Sequence, residues 1–589
     1  MLLLRLLRQF FRLLLWPLAA LRWRKAAPSG AYIHLEIDGA VSDVAAPSRP
    51  WDAWVRKPGV TVHGVAELVD AVLEDPKPRG LLVTLSSLRA GMATATSLRT
   101  QLARLRDAGR EVVVFLPLGA DTREFYVATA GTRIFVGPQT SVAPIGFALN
   151  TRYVRGALEK AGLTPEIFAR GTYKSAGETL VRDSMSDAQR EQMEALLATF
   201  YDELIDAVAE GRHLDVETAR ARIDAAPYRA ADAVAAGLVD GEAYEDEIAD
   251  ALAAPATGRP APSEGAPGAP RANGAMLVPA ARYVRARAGG GPGPLRPPPV
   301  IGVVQVHGPI AGDNPLRLPF ATDEPLIQIV RRARRDPRVR AVILHIDSPG
   351  GSALASDRIH HELVRLAAEK PLVACMANVA ASGGYYVAAP AHVIVAEPTT
   401  ITGSIGVVAA RFTPEPLLSK LGVTTSSLRR GAHAGLLDPA GALTDGERLA
   451  IEKELDGVYR GFVQVVADGR KKSVEEVDAV AQGRVWVGRD ARTRGLVDEL
   501  GGFETALRLA RERGAAGRKL EPSVLRPPRA PLPPFSAEHR ERRVARVAAA
   551  QVARLFGVLG MDPTALILGA SRERLLLWCE LGRHFSEIE

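Results

Sequence analysis

The chain has 589 residues, enough for at least two domains, and its 47% hydrophobic and 24% charged content is ordinary for a globular protein. The formal charge is +7, but Arg5, Arg8, Arg12, Arg22, Arg24 and Lys25 all precede the first acid, Glu36, so the remainder is close to neutral. No basic stripe with interleaved aromatics argues for a nucleic-acid partner. Cys375 and Cys579 show neither metal spacing nor a disulfide framework, so no metal and no cofactor are expected.

Residues 1–28 form the first segment. Leu13–Leu21 is the longest apolar run there, bounded by Arg12 and Arg22, and a spanning helix needs about 20 apolar residues. Arg5, Arg8 and Arg12 share one helix face, with Leu, Phe and Trp filling the rest. That pattern predicts a membrane-associating helix lying in the interface, its arginines on lipid phosphates. An uncleaved span and a cleaved signal are the alternatives; "RWRK" after the apolar part argues against cleavage.

The next segments are two copies of one unit. Residues 126–171 and 386–431 align without a gap at an offset of 260: Tyr126 answers Tyr386, Pro138 answers Pro398, and "IG" at 145–146 answers "IG" at 405–406. Upstream "IHLEIDGAVSD" answers "GVVQVHGPIAGD", and downstream "GLVDG" (237–241) answers "GLVDE" (495–499). The first repeat is placed at 29–252 and the second at 300–512. Between them, 253–299 is Pro- and Gly-rich and reads as a linker, with 275–288 as a short ordered piece inside it. Residues 513–589 are a Pro-rich link and C-terminal helices.

Within the second repeat "VIGVVQV" reads as a strand and "EPLIQIVRRARRD" as a helix. "AVILHID" is a strand, "ALASDRIHHELVRLAAE" a helix and "PLVACM" a strand; "YYVAAP", "HVIVAE" and "GVTTSSLR" follow. Apolar runs without alternation predict strands covered on both faces, hence an α/β fold of two tandem βα repeats.

The copies differ where chemistry would sit. "AVILHID" runs into "SPGGS" (348–352), whose glycines let backbone N–H groups approach a developing oxyanion. The first copy has Leu88 for Pro349 and Arg89 for Gly350. Ser382, at a strand-to-helix elbow before Gly383 and Gly384, is a candidate nucleophile; Thr122 and then Arg123 stand at that place in the first copy. Conversely Lys174, in "ARGTYKSAGETL", is answered by Ala434. One copy holds the serine and the other the lysine, which suggests one composite site with Lys174 as the base for Ser382. The lysine must then be neutral, and burial together with the N-terminal end of a helix over "SAGETLVRD" would favour that. Ser404, in "TTITGSIGV", is positioned to hold the amine; its counterpart is Pro144. His345, His392 and His433 are weaker candidates for the base, and Asp347 reads as shaping the glycine turn.

The motifs "DSPGGS", "AASGGYYVA", "TGSIGV" and "GTYKSA", in one order over about 30–510, resemble the signal peptide peptidase A (protease IV) family in its long tandem-repeat form. The resemblance implies a Clp/crotonase-like fold and a Ser–Lys dyad of Ser382 and Lys174. Ser404 would support the lysine, and backbone N–H groups of Gly350, Gly351 and Gly383 would form the oxyanion hole. It also implies peptide substrates (cleaved signal peptides), a homotetramer, and the cytoplasmic (inner) membrane with the catalytic part on the extracytoplasmic side. The arginines in the N-terminal segment depart from the family's clear spanning helix. No histidine lies between 393 and 432, where related Clp proteases carry theirs, which favours lysine as base. Two other classes stand against this reading: an acyl-CoA hydratase or isomerase on the same fold, and a catalytically inactive membrane scaffold.

Overall fold

The computed structural model describes residues 27–45, 59–253, 274–288, 297–312, 320–436, 438, 441–515, 520–527 and 575–578. These fall into two compact units, one formed by 1–147 with 200–298 and the other by 148–199 with 299–589. The units are therefore not consecutive halves: part of the first repeat, including Lys174, belongs to the compact unit of the second.

In the first unit the strands are continuous apolar runs. Leu81, Leu82 and Val83 are all buried, and because neighbouring strand residues face opposite sides, both faces of the sheet must be covered. The sheet order is 277–279, 32–40, 80–89, 111–116, 133–136, 241–242, and every neighbouring pair is parallel. The helix Val62–Glu74 starts at Thr61, whose hydroxyl accepts from the Gly64 N–H, and its Val65, Leu68, Val69 and Val72 enter the core at helical spacing. The ordered piece read within the linker is present as the strand Leu277–Pro279, paired with Tyr32–His34, and the helix Ala280–Ala288.

The second unit repeats this plan. Its main sheet runs 485–487, 401–403, 372–381, 339–348, 300–307, 522–524, with 393–396 also paired to 372–381. Residues Ala341–Ile346 are buried without a break. A second sheet has the order 321–322, 310–311, 350–352, 575–578, 407–413, 164–170. The last pair is antiparallel over seven residues, from Val407 opposite Arg170 to Thr413 opposite Thr164, and carries the strand that leads to Lys174 into this unit.

The α/β class and the buried parallel strands agree with the sequence. "YYVAAP" lies mostly in the helix Gly383–Ala388 and "HVIVAE" holds the strand Val393–Ala396. "GVTTSSLR" forms no regular element, although its equivalent in the first copy is the strand Thr164–Arg170. That strand forms on Val407–Thr413, and residues 147–153, the counterparts of the latter at the offset of 260, are themselves not a strand. The helix expected over "SAGETLVRD" shrinks to Glu178–Val181, because Gly177 stands in the left-handed region at φ +98°. The membrane-associating helix of 1–28 lies outside the described residues up to residue 26, as do 254–273 and 289–296 of the linker and most of 513–589. Among the described residues, no helix is long and apolar enough to cross a membrane.

Candidate active site

Ser382 ends the strand Leu372–Ala381 and caps the helix Gly383–Ala388 with φ +54° and ψ −116°. A non-glycine residue in that region is strained and persists only where its surroundings hold it. Here the Ser382 N–H donates to the Gly403 carbonyl at 2.8 Å, and its carbonyl accepts from the Tyr386 N–H at 2.9 Å. The elbow also needs its glycines. A Cβ on Gly384 would come 2.7 Å from the Ser348 carbonyl, and one on Gly383 2.6 Å from Ser356 Oγ.

Lys174 follows the strand Thr164–Arg170 and is only 5% exposed. Its Nζ lies 2.8 Å from Ser382 Oγ, 3.0 Å from Ser404 Oγ and 3.0 Å from the Ser404 carbonyl. Ser404 is itself held at φ +51°, its N–H donating to the Arg484 carbonyl at 2.7 Å. The three residues singled out from the sequence thus meet in one buried cluster.

The glycine turn stands beside them. Gly350 and Gly351 have φ of +101° and +152°, and a Cβ on Gly351 would run into the Ile310 carbonyl. A Cβ on Gly383 would lie 3.3 Å from the Gly351 nitrogen, so the two backbones run side by side. The Gly350 N–H instead donates to Ser348 Oγ at 3.2 Å. Of the three amides named from the sequence, Gly351 and Gly383 are therefore the better placed for an oxyanion.

Asp347 accepts from the Val379 N–H at 3.1 Å, tying the glycine-turn strand to the elbow strand. The histidines have other work. His345 pairs with His307 at 2.7 Å, and His392 Nδ1 accepts from the Leu372 N–H at 3.1 Å. His433 lies in an exposed turn.

Sequence reasoning missed the clasp around the lysine. The Gln482 carbonyl accepts from the Tyr173 N–H and the Gly483 N–H donates to the Ile405 carbonyl, both at 2.8 Å. Buried Gln192 bridges the same pieces: its amide donates to the Tyr173 carbonyl and Ser175 Oγ, and its oxygen accepts from the Val485 N–H. The guanidinium of Arg484 sits between the rings of Tyr173 and Trp486, 4.6 and 4.5 Å from their centroids, and pairs with Glu191 at 2.8 Å. The available signal was Gly483, answered by Ala225 in the first copy.

The equivalent place in the first copy is filled. The Leu88 N–H donates to Glu124 Oε1 at 2.8 Å, Arg123 donates to the Ala90 carbonyl at 2.6 Å, and Thr122 Oγ1 donates to the Gly146 carbonyl at 3.1 Å. The hydroxyl at the place of the nucleophile is therefore occupied within the fold. Among the described residues no group of three or more His, Cys, Asp or Glu is placed to hold a metal.

Two stretches, residues 104–257 and 364–516, match peptidase family S49. The chain is 31% identical to the chloroplastic serine protease SPPA of Arabidopsis thaliana, over 77% of this chain and 66% of that one. It is 33% identical to protease 4 of Salmonella typhi, over 70% and 65%, and 30% identical to protease 4 of Haemophilus influenzae, over 83% and 80%. Its match thus spans just under two thirds of the first two relatives and four fifths of the third. The first of these relatives carries the name of a serine protease. The chain belongs to peptidase family S49, with the family's domain present twice.

Proposed function

We propose that this chain is a membrane-associated serine endopeptidase that degrades remnant signal peptides and other apolar peptides through a Ser382–Lys174 dyad. The observation that carries the reading is the 2.8 Å separation of Lys174 Nζ and Ser382 Oγ in a buried site. A neutral amine has two N–H donors and one lone pair. The donors suit the Ser404 carbonyl and hydroxyl, and the lone pair suits the Ser382 O–H. Burial favours that neutral form, because desolvation penalises the ammonium. The helix that follows is a single turn and adds little.

In this mechanism Ser382 Oγ attacks the scissile carbonyl as Lys174 takes its proton. The Gly351 and Gly383 amides hold the oxyanion. Lys174 then protonates the leaving amine, and water, activated by the same lysine, hydrolyses the ester. An acyl-CoA hydratase or isomerase would need neither Ser382 nor Lys174, and a scaffold would have no use for a strained serine against a buried amine.

The apolar, arginine-bearing segment 1–28 supports association with the inner membrane, with the catalytic part extracytoplasmic. A homo-oligomer has support from the two copies. Thr164–Arg170 pairs with Val407–Thr413 within one chain. At the offset of 260, the equivalents 424–430 and 147–153 form no strand; 421–434 is exposed throughout, and Leu428 fully so. Pairing 424–430 of one chain with 147–153 of the next would extend head to tail and close into a ring such as the tetramer.

The test is cleavage of a synthetic signal peptide by the full chain in detergent, beside Ser382→Ala and Lys174→Ala. The dyad requires that the parent cut and both variants fall to background while keeping its circular dichroism. A Lys174→Ala variant that retains most of the activity would sink it.

A further inference from the structure

The second sheet of the serine-bearing unit is continuous only because of a strand from the far end of the chain. Leu575–Trp578 lies between Gly350–Ser352 and Val407–Thr413 and is antiparallel to both. Gly350 stands opposite Trp578, Gly351 opposite Leu577 and Ser352 opposite Leu576; on the other side Val408 stands opposite Leu576 and Ala409 opposite Leu575. The helix that starts at Gly383, directly after Ser382, also contacts this strand. Without it the sheet would part into two pieces facing each other across a slot one strand wide. Each facing edge would carry unpaired backbone N–H and C=O groups, which an extended peptide satisfies from both sides.

The slot is where a substrate must lie under the proposed function, because one wall is the glycine turn beside the nucleophile. Its resident sequence, "LLLW", is itself an apolar peptide. A tethered ligand of this kind competes at an effective concentration that free substrate must exceed.

We propose that Leu575–Trp578 is an intramolecular inhibitor: the chain's own tail occupies the substrate slot by strand addition, and apolar peptide substrates gain access by displacing it. The proposal rests on the reading of the slot as the peptide site, and the test separates the two. Hydrolysis of an apolar fluorogenic peptide is measured for the full chain, for a chain ending at residue 570, and for the full-length Leu576→Pro variant. Leu576 pairs on both sides, and proline removes the N–H the ladder uses. Both altered chains are expected to show KM lowered about fivefold or more, with kcat held. A synthetic peptide of residues 571–582 added to the truncated chain is expected to inhibit competitively. Binding of that peptide, fluorescently labelled, to the truncated Ser382→Ala chain is read by anisotropy and needs no turnover. If no form of the chain cleaves any peptide but the labelled tail still binds, the functional reading fails and the tail site stands. Unchanged KM in both altered chains, or no binding of the tail peptide, overturns the proposal.

Discussion

Gly483 and Lys174 are packed backbone to backbone: a Cβ at Gly483 would fall 2.6 Å from the Lys174 Cβ and 2.6 Å from its nitrogen. Gly483 also stands at φ +75°, where a side chain is strained. Gly483→Ala must therefore push the lysine from its place against Ser382. A misplacement of about 1 Å costs roughly 100-fold in rate. We expect kcat to fall by that order with KM little changed, measured on a soluble peptide substrate.

Lys174→Arg should not rescue Lys174→Ala. Arginine keeps its charge and has no lone pair to offer the Ser382 O–H. Loss of a general base costs about 100- to 10,000-fold, so both variants should lie in that range or below. Steady-state kinetics of the two side by side decides it; an arginine variant near parental rate would remove the requirement for a neutral amine.

The parental rate should climb with pH. A base is useful only when deprotonated, so kcat/KM increases as Lys174 loses its proton and falls as pH drops through its pKa. Ser404→Ala removes one acceptor from the amine and should lower kcat about 10-fold, the order of a lost hydrogen bond, while also displacing this limb of the profile. A pH–rate profile unmoved by Ser404→Ala would leave that hydroxyl without influence on the amine.

Folding stability should weaken in mild acid, partly through His360. Burial pushes this imidazole below its usual range, against the opposing pull of Asp357 and Asp468 and with help from His361; its ring lies edge-on to Tyr386 at 5.2 Å. Its folded pKa is below its unfolded value of about 6.5, so the unfolded chain binds the proton more readily. The contribution is complete above about pH 6.5 and is lost as pH falls toward the folded pKa. Chemical denaturation of His360→Gln between pH 7.5 and 5.5 should show a flatter loss than the parent. Equal slopes would assign the acid sensitivity elsewhere.

Much of the fold and of the site is legible in the amino-acid sequence. The duplication, the uninterrupted apolar strands and the private Ser382, Lys174 and Ser404 are local or periodic features, and a comparison of the two copies exposes them. The helix after Lys174 is shorter than its sequence suggests because apolar periodicity does not reveal that Gly177 takes a left-handed φ. Residues 422–429 form no strand although their counterparts in the first copy do, because a strand requires a paired edge, and the edge the counterpart uses belongs to another part of the chain.

The residue types for a serine and lysine site, and the copy that carries each, were determined by the sequence alone. Only the tertiary structure decided that residues 208 apart in sequence stand 2.8 Å apart. It also decided that the Gly350 amide is taken by Ser348, that Gln482–Arg484 and Gln192 clasp the lysine, and that a tail strand lies against the glycine turn. These are pairings of backbone groups between distant segments. Their partners are selected by which edges the folded sheets leave open, and no spacing within one segment records that.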